Sequence, residues 1–274
     1  MKQLDFPVER RIESIFNRPV IFILIIGCIS FAIRIFYLPQ NLPLTLDGLM
    51  YFSYATDITV LGHLPNFNQS PNNGWPIFLS VFISLLHSAS NSSNFLDYMM
   101  LQRVLSVLLS TLTVIPVYYL CRKFFDTKYS LVGATIFVFE PRIIQNSIQA
   151  DTQPLFILLI TTSLALFFVR DVKIVFIAFG IVALASVIRF EGLLLIMAFV
   201  VVYLLRLRRE RKAFLKFCCV VAIVACIIIP VSQIRVASIG HDGLTSQVIG
   251  GAVATNELIK ENDQTGKIKI GRAH

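Results

Sequence analysis

The sequence predicts an all-α, polytopic membrane protein of about seven transmembrane helices, with a long first outer loop that carries surface-lying helices. Three observations point there. Of 274 residues, 56% are hydrophobic and 15% are charged, with a mean hydropathy of +0.75; a soluble domain of this length needs far less apolar surface. Several stretches approach the roughly 20 apolar residues that cross a hydrocarbon core. Lysine and arginine gather in three short loops, each two spans from the next, as cytoplasmic loops do. The net charge of +8 therefore marks topology, and no nucleic-acid partner is expected.

Residues 1–18 form a polar N-terminal segment with Lys2, Arg10, Arg11 and Arg18, placed in the cytoplasm. No small-residue cleavage site follows, so the first span reads as a retained anchor. Pro19 suits the first turn of a helix. A transmembrane domain is expected over 19–234, with an outer loop at 39–100 and an outer tail at 235–274. The first span runs from about 20 to 38, and Arg34 near its far end can snorkel or face a polar cavity.

From Tyr37 to Gln102 there is no lysine or arginine, while Asp47, Asp57 and Asp97 fall inside the gap. Such a segment belongs outside. Within it, Leu46–Ala55 reads as a short helix along the membrane surface, with Asp47 as N-cap and Gly62 plus Pro65 as its end. Asp47, Met50, Tyr51, Tyr54 and Ile58 share one side at helical spacing. Asp47 is thus either a cap alone or a carboxylate set beside phenols for chemistry. A second apolar piece, Trp75 to Leu86, is short for a span. If it stays on the outer surface, all three basic loops fall inside, and Trp75 becomes an interfacial anchor; if it crosses, all three fall outside. The first arrangement is the one charge supports.

The later spans are read at about 101–121, 129–146, 153–169, 174–190, 192–205 and 214–233. Basic groups punctuate them: Arg122, Lys123 and Lys128; Arg170 and Lys173; then Arg206, Arg208, Arg209, Arg211, Lys212 and Lys216. This order brings Asp47, Asp151, Arg189 and Glu191 to the outer face from three separate loops. Ionisable groups at a membrane edge are site candidates. Each also has a plain structural reading. Asp151, before Thr152-Gln153-Pro154, suits an N-cap. Arg189 and Glu191 can neutralise one another at a turn, although an arginine fork at a cavity mouth also fits phosphate oxygens. Glu140, before Pro141, meets Arg142, a cavity or water. Cys28, Cys121, Cys218, Cys219 and Cys226 show no metal-ligand spacing and no disulfide framework. His63, His87 and His241 read as ordinary surface residues, and Asn68-Gln69-Ser70 and Asn91-Ser92-Ser93 as sequons of the outer loop.

Taken together these features resemble the GT-C class of integral-membrane glycosyltransferases, which holds protein O-mannosyltransferases, aminoarabinose transferases and the catalytic subunits of oligosaccharyltransferases. The resemblance rests on Asp47-Gly48 with Tyr51 and Ala55, Gly62 and Pro65, Gly74-Trp75-Pro76, Arg103, Pro141 followed by Asp151, and Arg189-Phe190-Glu191-Gly192, and it covers roughly residues 20–235. It implies a polyprenyl-phosphate sugar donor and an acceptor that is a glycan, a lipid or a protein. It implies catalytic roles for Asp47, as the outer-loop acid that activates the acceptor or holds a divalent metal (Mg or Mn), and for Asp151, as the second-loop acid near that metal. Arg189 becomes a phosphate contact, and Tyr51 and Glu191 substrate-binding residues. The implied location is the cell membrane, multi-pass, with the site on the outer face. Two departures stand out: Gly48 where many relatives have a second acid, and a tail at 235–274 that reads as truncated. A transporter or flippase of lipid-linked sugar is the rival from another class; it commonly shows paired repeats, and none is evident here. An inactive truncated relative is the third reading.

Overall fold

The computed structural model describes residues 19–40, 42–65, 73–90, 94–208 and 212–239. The N-terminal segment 1–18, both sequons, His241 and the tail beyond residue 239 lie outside the described residues. All regular structure among the described residues is helical: α1 (Pro19–Phe36), α2 (Leu46–Leu61), α3 (Gly74–Ser90), α4 (Phe95–Leu112), α5 (Val114–Cys121), α6 (Thr127–Phe139), α7 (Pro141–Ile148), α8 (Gln153–Phe167), α9 (Val172–Ile188), α10 (Gly192–Leu207) and α11 (Ala213–Ile239).

Three helical stretches are long and apolar enough to cross a membrane: Pro19–Phe36, Phe95–Cys121 and Ala213–Ser238. The middle one is α4 and α5 together. The chain is interrupted at Thr113, whose N–H still reaches Leu109 O at 3.2 Å, because Pro116 cannot supply the N–H that Leu112 would accept. Helices α3, α6, α8, α9 and α10 are apolar but shorter. The stretch expected as a third span, 129–146, divides at Glu140. There the carboxylate caps α7 by accepting from Ile143 N–H at 2.9 Å, and Pro141 occupies the first turn. Glu140 is therefore a cap and not a partner of Arg142.

Helix α9 is central, touching α3, α8, α10 and α11. Its buried face (Val175, Phe179, Val182) packs with Phe167, Phe199 and Tyr203. The rings of Phe167 and Phe199 stack at 4.1 Å. A second core joins α2, α3 and α4 through Phe52, Ala55, Leu79, Ile83 and Leu105. A third joins α1, α5 and α6 through Ile23, Val117, Tyr118 and Leu131.

Two buried arginines tie distant segments without an acid. Arg34 is fully buried. It donates to Val138 O at 2.8 Å, to Ser147 Oγ at 3.2 Å and to the carbonyl and hydroxyl of Ser30; it does not snorkel. Arg103 holds the chain between α1 and α2 by donating to Pro39 O at 3.1 Å, Leu42 O at 2.8 Å and Pro43 O at 2.8 Å. A third arginine, Arg235, donates to Asn73 Oδ1 at 3.3 Å and so fastens the end of α11 to the start of α3.

Trp75 is not an interfacial anchor. It is wholly buried, clustered with Leu155 and Ile188 and stacked on Phe78 at 5.7 Å. The close approach of α3 to the end of α9 puts it there. A Cβ on Gly74 would lie 2.7 Å from Ile188 Cγ1 and 2.8 Å from Val187 O.

Gly192 is similarly constrained at the α9–α10 turn, where a Cβ would sit 2.6 Å from Ser186 N. Overpacking against backbone typically costs about 1–3 kcal/mol. Gly192→Ala should accordingly lower the melting temperature of the purified protein. Gly180→Ala should leave it nearly unchanged, since its Cβ meets only Ile223 and Ile227 side-chain carbons at 3.8 and 3.9 Å.

Candidate active site

The site grows from three chain segments that meet at one end of α2, α8, α9 and α10. Helix α2 begins at Leu46 because Thr45 caps it, its hydroxyl oxygen accepting from Gly48 N–H at 3.4 Å. Asp47 is thus not the N-cap. It lies exposed in the first turn, where the helix dipole favours a negative charge. The helix closes at Gly62, with φ 71° and its N–H on Ile58 O at 2.9 Å.

The second segment links α7 to α8. Ala150 is fully buried with φ 60°, the sole non-glycine with positive φ among the described residues. This left-handed turn carries the chain directly into Asp151. The N-cap position of α8 belongs to Thr152, not to Asp151. Asp151 Oδ1 instead accepts from the backbone N–H of Thr152 and from its hydroxyl, the latter at 3.0 Å. Oδ2 makes no hydrogen bond among the described residues.

The two segments are fastened by Gln102. Its Nε2 donates to Gly48 O at 3.1 Å and to Ala150 O at 2.7 Å. The Thr45 hydroxyl adds a bond to Gln149 O at 3.3 Å. A Cβ on Gly48 would lie 2.9 Å from that same carbonyl, so a side chain in place of Gly48 is excluded by backbone contact.

The third segment is the α9–α10 turn. Arg189 donates from Nε and Nη2 to Glu191 Oε1 at 3.2 and 2.7 Å, and from Nη1 to Thr152 Oγ1 at 3.4 Å. Its guanidinium also lies 5.8 Å from the Phe156 ring centroid. The hydrogen bond that Arg189 donates to Glu191 raises its pKa and keeps it charged. Burial works to raise that of Glu191, but the bonds from Arg189 and the backbone outweigh it, and the net shift is downward. Glu191 Oε2 is buried without a hydrogen-bond partner among the described residues.

Tyr51 joins the segments. Its phenol is half-buried, and burial is the first cause of its raised pKa; Asp151 and Asp47 push it up further, while Arg189 and a bond to Thr152 oppose. It stays a neutral hydroxyl through the physiological range. Asp47, Tyr51, Asp151, Arg189 and Glu191 are thus gathered at one locus. Gln102, Thr45 and Thr152 support them and were not singled out by sequence; a polar Gln102-Arg103 pair at the head of an apolar span is the signal that could have found the first. His87 is not solitary, since its Nδ1 meets the Tyr98 hydroxyl at 3.0 Å.

An all-helical bundle with membrane-crossing segments, acids and an arginine at one end and cations at the other fits the class of membrane-embedded glycosyltransferases. The chain belongs to the dolichyl-phosphate-mannose-protein mannosyltransferase family, whose model matches residues 76–234, more than half of its length. Members are membrane glycosyltransferases that use polyprenyl-phosphate sugar donors. The match includes Gln102, Arg103, Asp151, Arg189 and Glu191, and starts after Asp47, Gly48 and Tyr51. No curated protein gives a match.

Two measurements follow from this geometry. Gln102→Leu strips Ala150 O of its donor and Gly48 O of its second one, and should cost about 1–3 kcal/mol of stability, read as a lower melting temperature. The Arg189–Glu191 pair should respond to acid. Glu191 titrates below its ordinary value of about 4.3 when folded, so its contribution is full above that value and is lost as pH falls through the lowered one. The stability gap between wild type and Glu191→Gln should be flat near neutrality and close on acidification.

Proposed function

We propose that this protein transfers a sugar from a polyprenyl-phosphate donor to a hydroxyl or amide acceptor at the outer face of the cell membrane. The topology of that reading has seven spans, a cytoplasmic N-terminus and an outer loop at 39–100. The observation that carries it is the meeting of Asp47, Tyr51 and Asp151 with the Arg189–Glu191 pair, in a chain of this family.

Each group has a physical task. Asp47, exposed and not spent on capping, takes the acceptor's proton or polarises it. Tyr51, neutral, donates a hydrogen bond to substrate oxygen. Arg189 stabilises the departing phosphate. Its Nη1, held only by the long 3.4 Å bond to Thr152, is the nitrogen an incoming phosphate oxygen can claim. Glu191 keeps the fork aimed. Asp151, anchored through Oδ1, presents Oδ2.

A magnesium or manganese ion needs only one or two carboxylates when phosphate oxygens complete its shell. Asp47 and Asp151 Oδ2 suit that demand, whereas no group of three or more acidic, histidine or cysteine side chains exists among the described residues to cage an ion unaided. Such an ion would neutralise charge on the donor phosphate.

The test is purified full-length chain in proteoliposomes with labelled polyprenyl-phosphate sugars and candidate acceptors. Product is expected. Asp47→Asn should lower turnover by roughly 10²–10⁴ at unchanged melting temperature, and Arg189→Gln by roughly 10²–10³ together with the drop in melting temperature that loss of its pair with Glu191 brings. Wild-type rates in Asp47→Asn remove it from the reaction. Donor movement across the bilayer without product supports the transporter instead.

A further inference from the structure

The end of the bundle remote from Asp47 holds a second recess, of about 370 Å³. Phe168, Arg170 and Val175 line it from the α8–α9 turn and α9, and Tyr203, Arg206 and Leu207 from α10. Its two arginines are differently placed. Arg206 donates once, to Phe167 O at 2.8 Å, and its guanidinium stacks 4.8 Å from the Phe167 ring centroid. This contact fixes the fork and leaves its remaining N–H groups without acceptors among the described residues. Arg170 is exposed and has no hydrogen-bond or ion-pair partner among the described residues.

The surroundings are strongly cationic. Arg122, Lys123, Lys128, Lys173, Arg208, Lys212 and Lys216 belong to the same end, against Asp126 and Asp171. Asp171 is turned to its own helix, accepting from Lys173 N–H at 2.9 Å. Exposed aromatic rings gather here too: Phe124, Phe125, Tyr129 and Phe168, with Phe124 edge-on to Phe168 at 5.4 Å. Aromatic rings at span ends sit at headgroup depth. The floor of the recess, Val175 and Leu207, is apolar.

We propose that this recess binds the phosphate headgroup of an anionic phospholipid. Two guanidinium forks match the phosphate oxygens, the apolar floor accepts the glycerol and first methylenes, and the aromatic rim sets the depth. A soluble anion would gain from the forks but nothing from the floor or the rim. The inference needs only that the chain sits in a bilayer; it does not depend on sugar transfer.

Native mass spectrometry of the full-length protein can read it, with phosphatidylglycerol, phosphatidylcholine or inorganic phosphate added. Phosphatidylglycerol should be retained in preference to phosphatidylcholine. Arg170→Gln should weaken that retention roughly fivefold, while Lys123→Gln, which removes a charge at the same end but outside the recess, should not. Equal retention of both lipids, an equal loss in both variants, or no loss in Arg170→Gln overturns the proposal. Displacement of phosphatidylglycerol by millimolar inorganic phosphate does so too, since the recess would then be a site for free anions.

Discussion

One side-chain amide organises the site. Gln102 supplies both hydrogens of its Nε2 to carbonyls that are far away in sequence, Gly48 O and Ala150 O. Gly48 O takes this bond in addition to its place in the α2 ladder, whereas Ala150 O lies four residues ahead of Pro154, which has no N–H to offer, and burial makes an unmet acceptor costly. Once this bridge forms, the start of α2 lies against the turn before α8. The contact is backbone to backbone: Gly48 has no room for a Cβ beside Gln149 O. Arg103, the next residue, clamps the three carbonyls of Pro39, Leu42 and Pro43. Two consecutive residues of α4 therefore position the whole approach to Asp47.

The chain also separates charge along its helices. At one end, the acids Asp47 and Asp151 and the Arg189–Glu191 pair face Tyr51. At the other, cations dominate. The apolar layer between them consists of α8, α9 and α10 with their aromatic stack. Separation of this kind keeps the field of the basic loops away from the candidate site. The positive charge there comes from Arg189 itself, which is oriented by Glu191 and by the ring of Phe156.

The all-helical class was legible in composition and hydropathy, and so was the family. Convergence of the loops was legible from charge alone, because basic residues fixed which span ends had to coincide. Local detail was harder. Asp47 looks like a cap, but Thr45 lies closer to the turn that Arg103 holds in place and takes the role. Asp151 loses the cap position to Thr152 because the left-handed Ala150 moves the helix start along the chain. Trp75 looks like an interface anchor, yet the closeness enforced by Gly74 buries it. The polar Gln102-Arg103 pair at the head of an apolar span marks Gln102 as unusual, but its partners could not be read from the sequence, since both are backbone carbonyls.

Arg34 bears on how the chain is assembled. Its acceptors besides Ser30 are Val138 O and Ser147 Oγ, 104 and 113 residues further along. When α1 is made, neither exists. A bare guanidinium within hydrocarbon costs about 2.5–3.5 kcal/mol on insertion scales, so the newly synthesised α1 holds this charge at the water boundary. It can settle to its final depth only when α6 and α7 arrive. Helix α1 is thus locked only once the chain has reached Ser147, and truncations ahead of that residue leave it unseated.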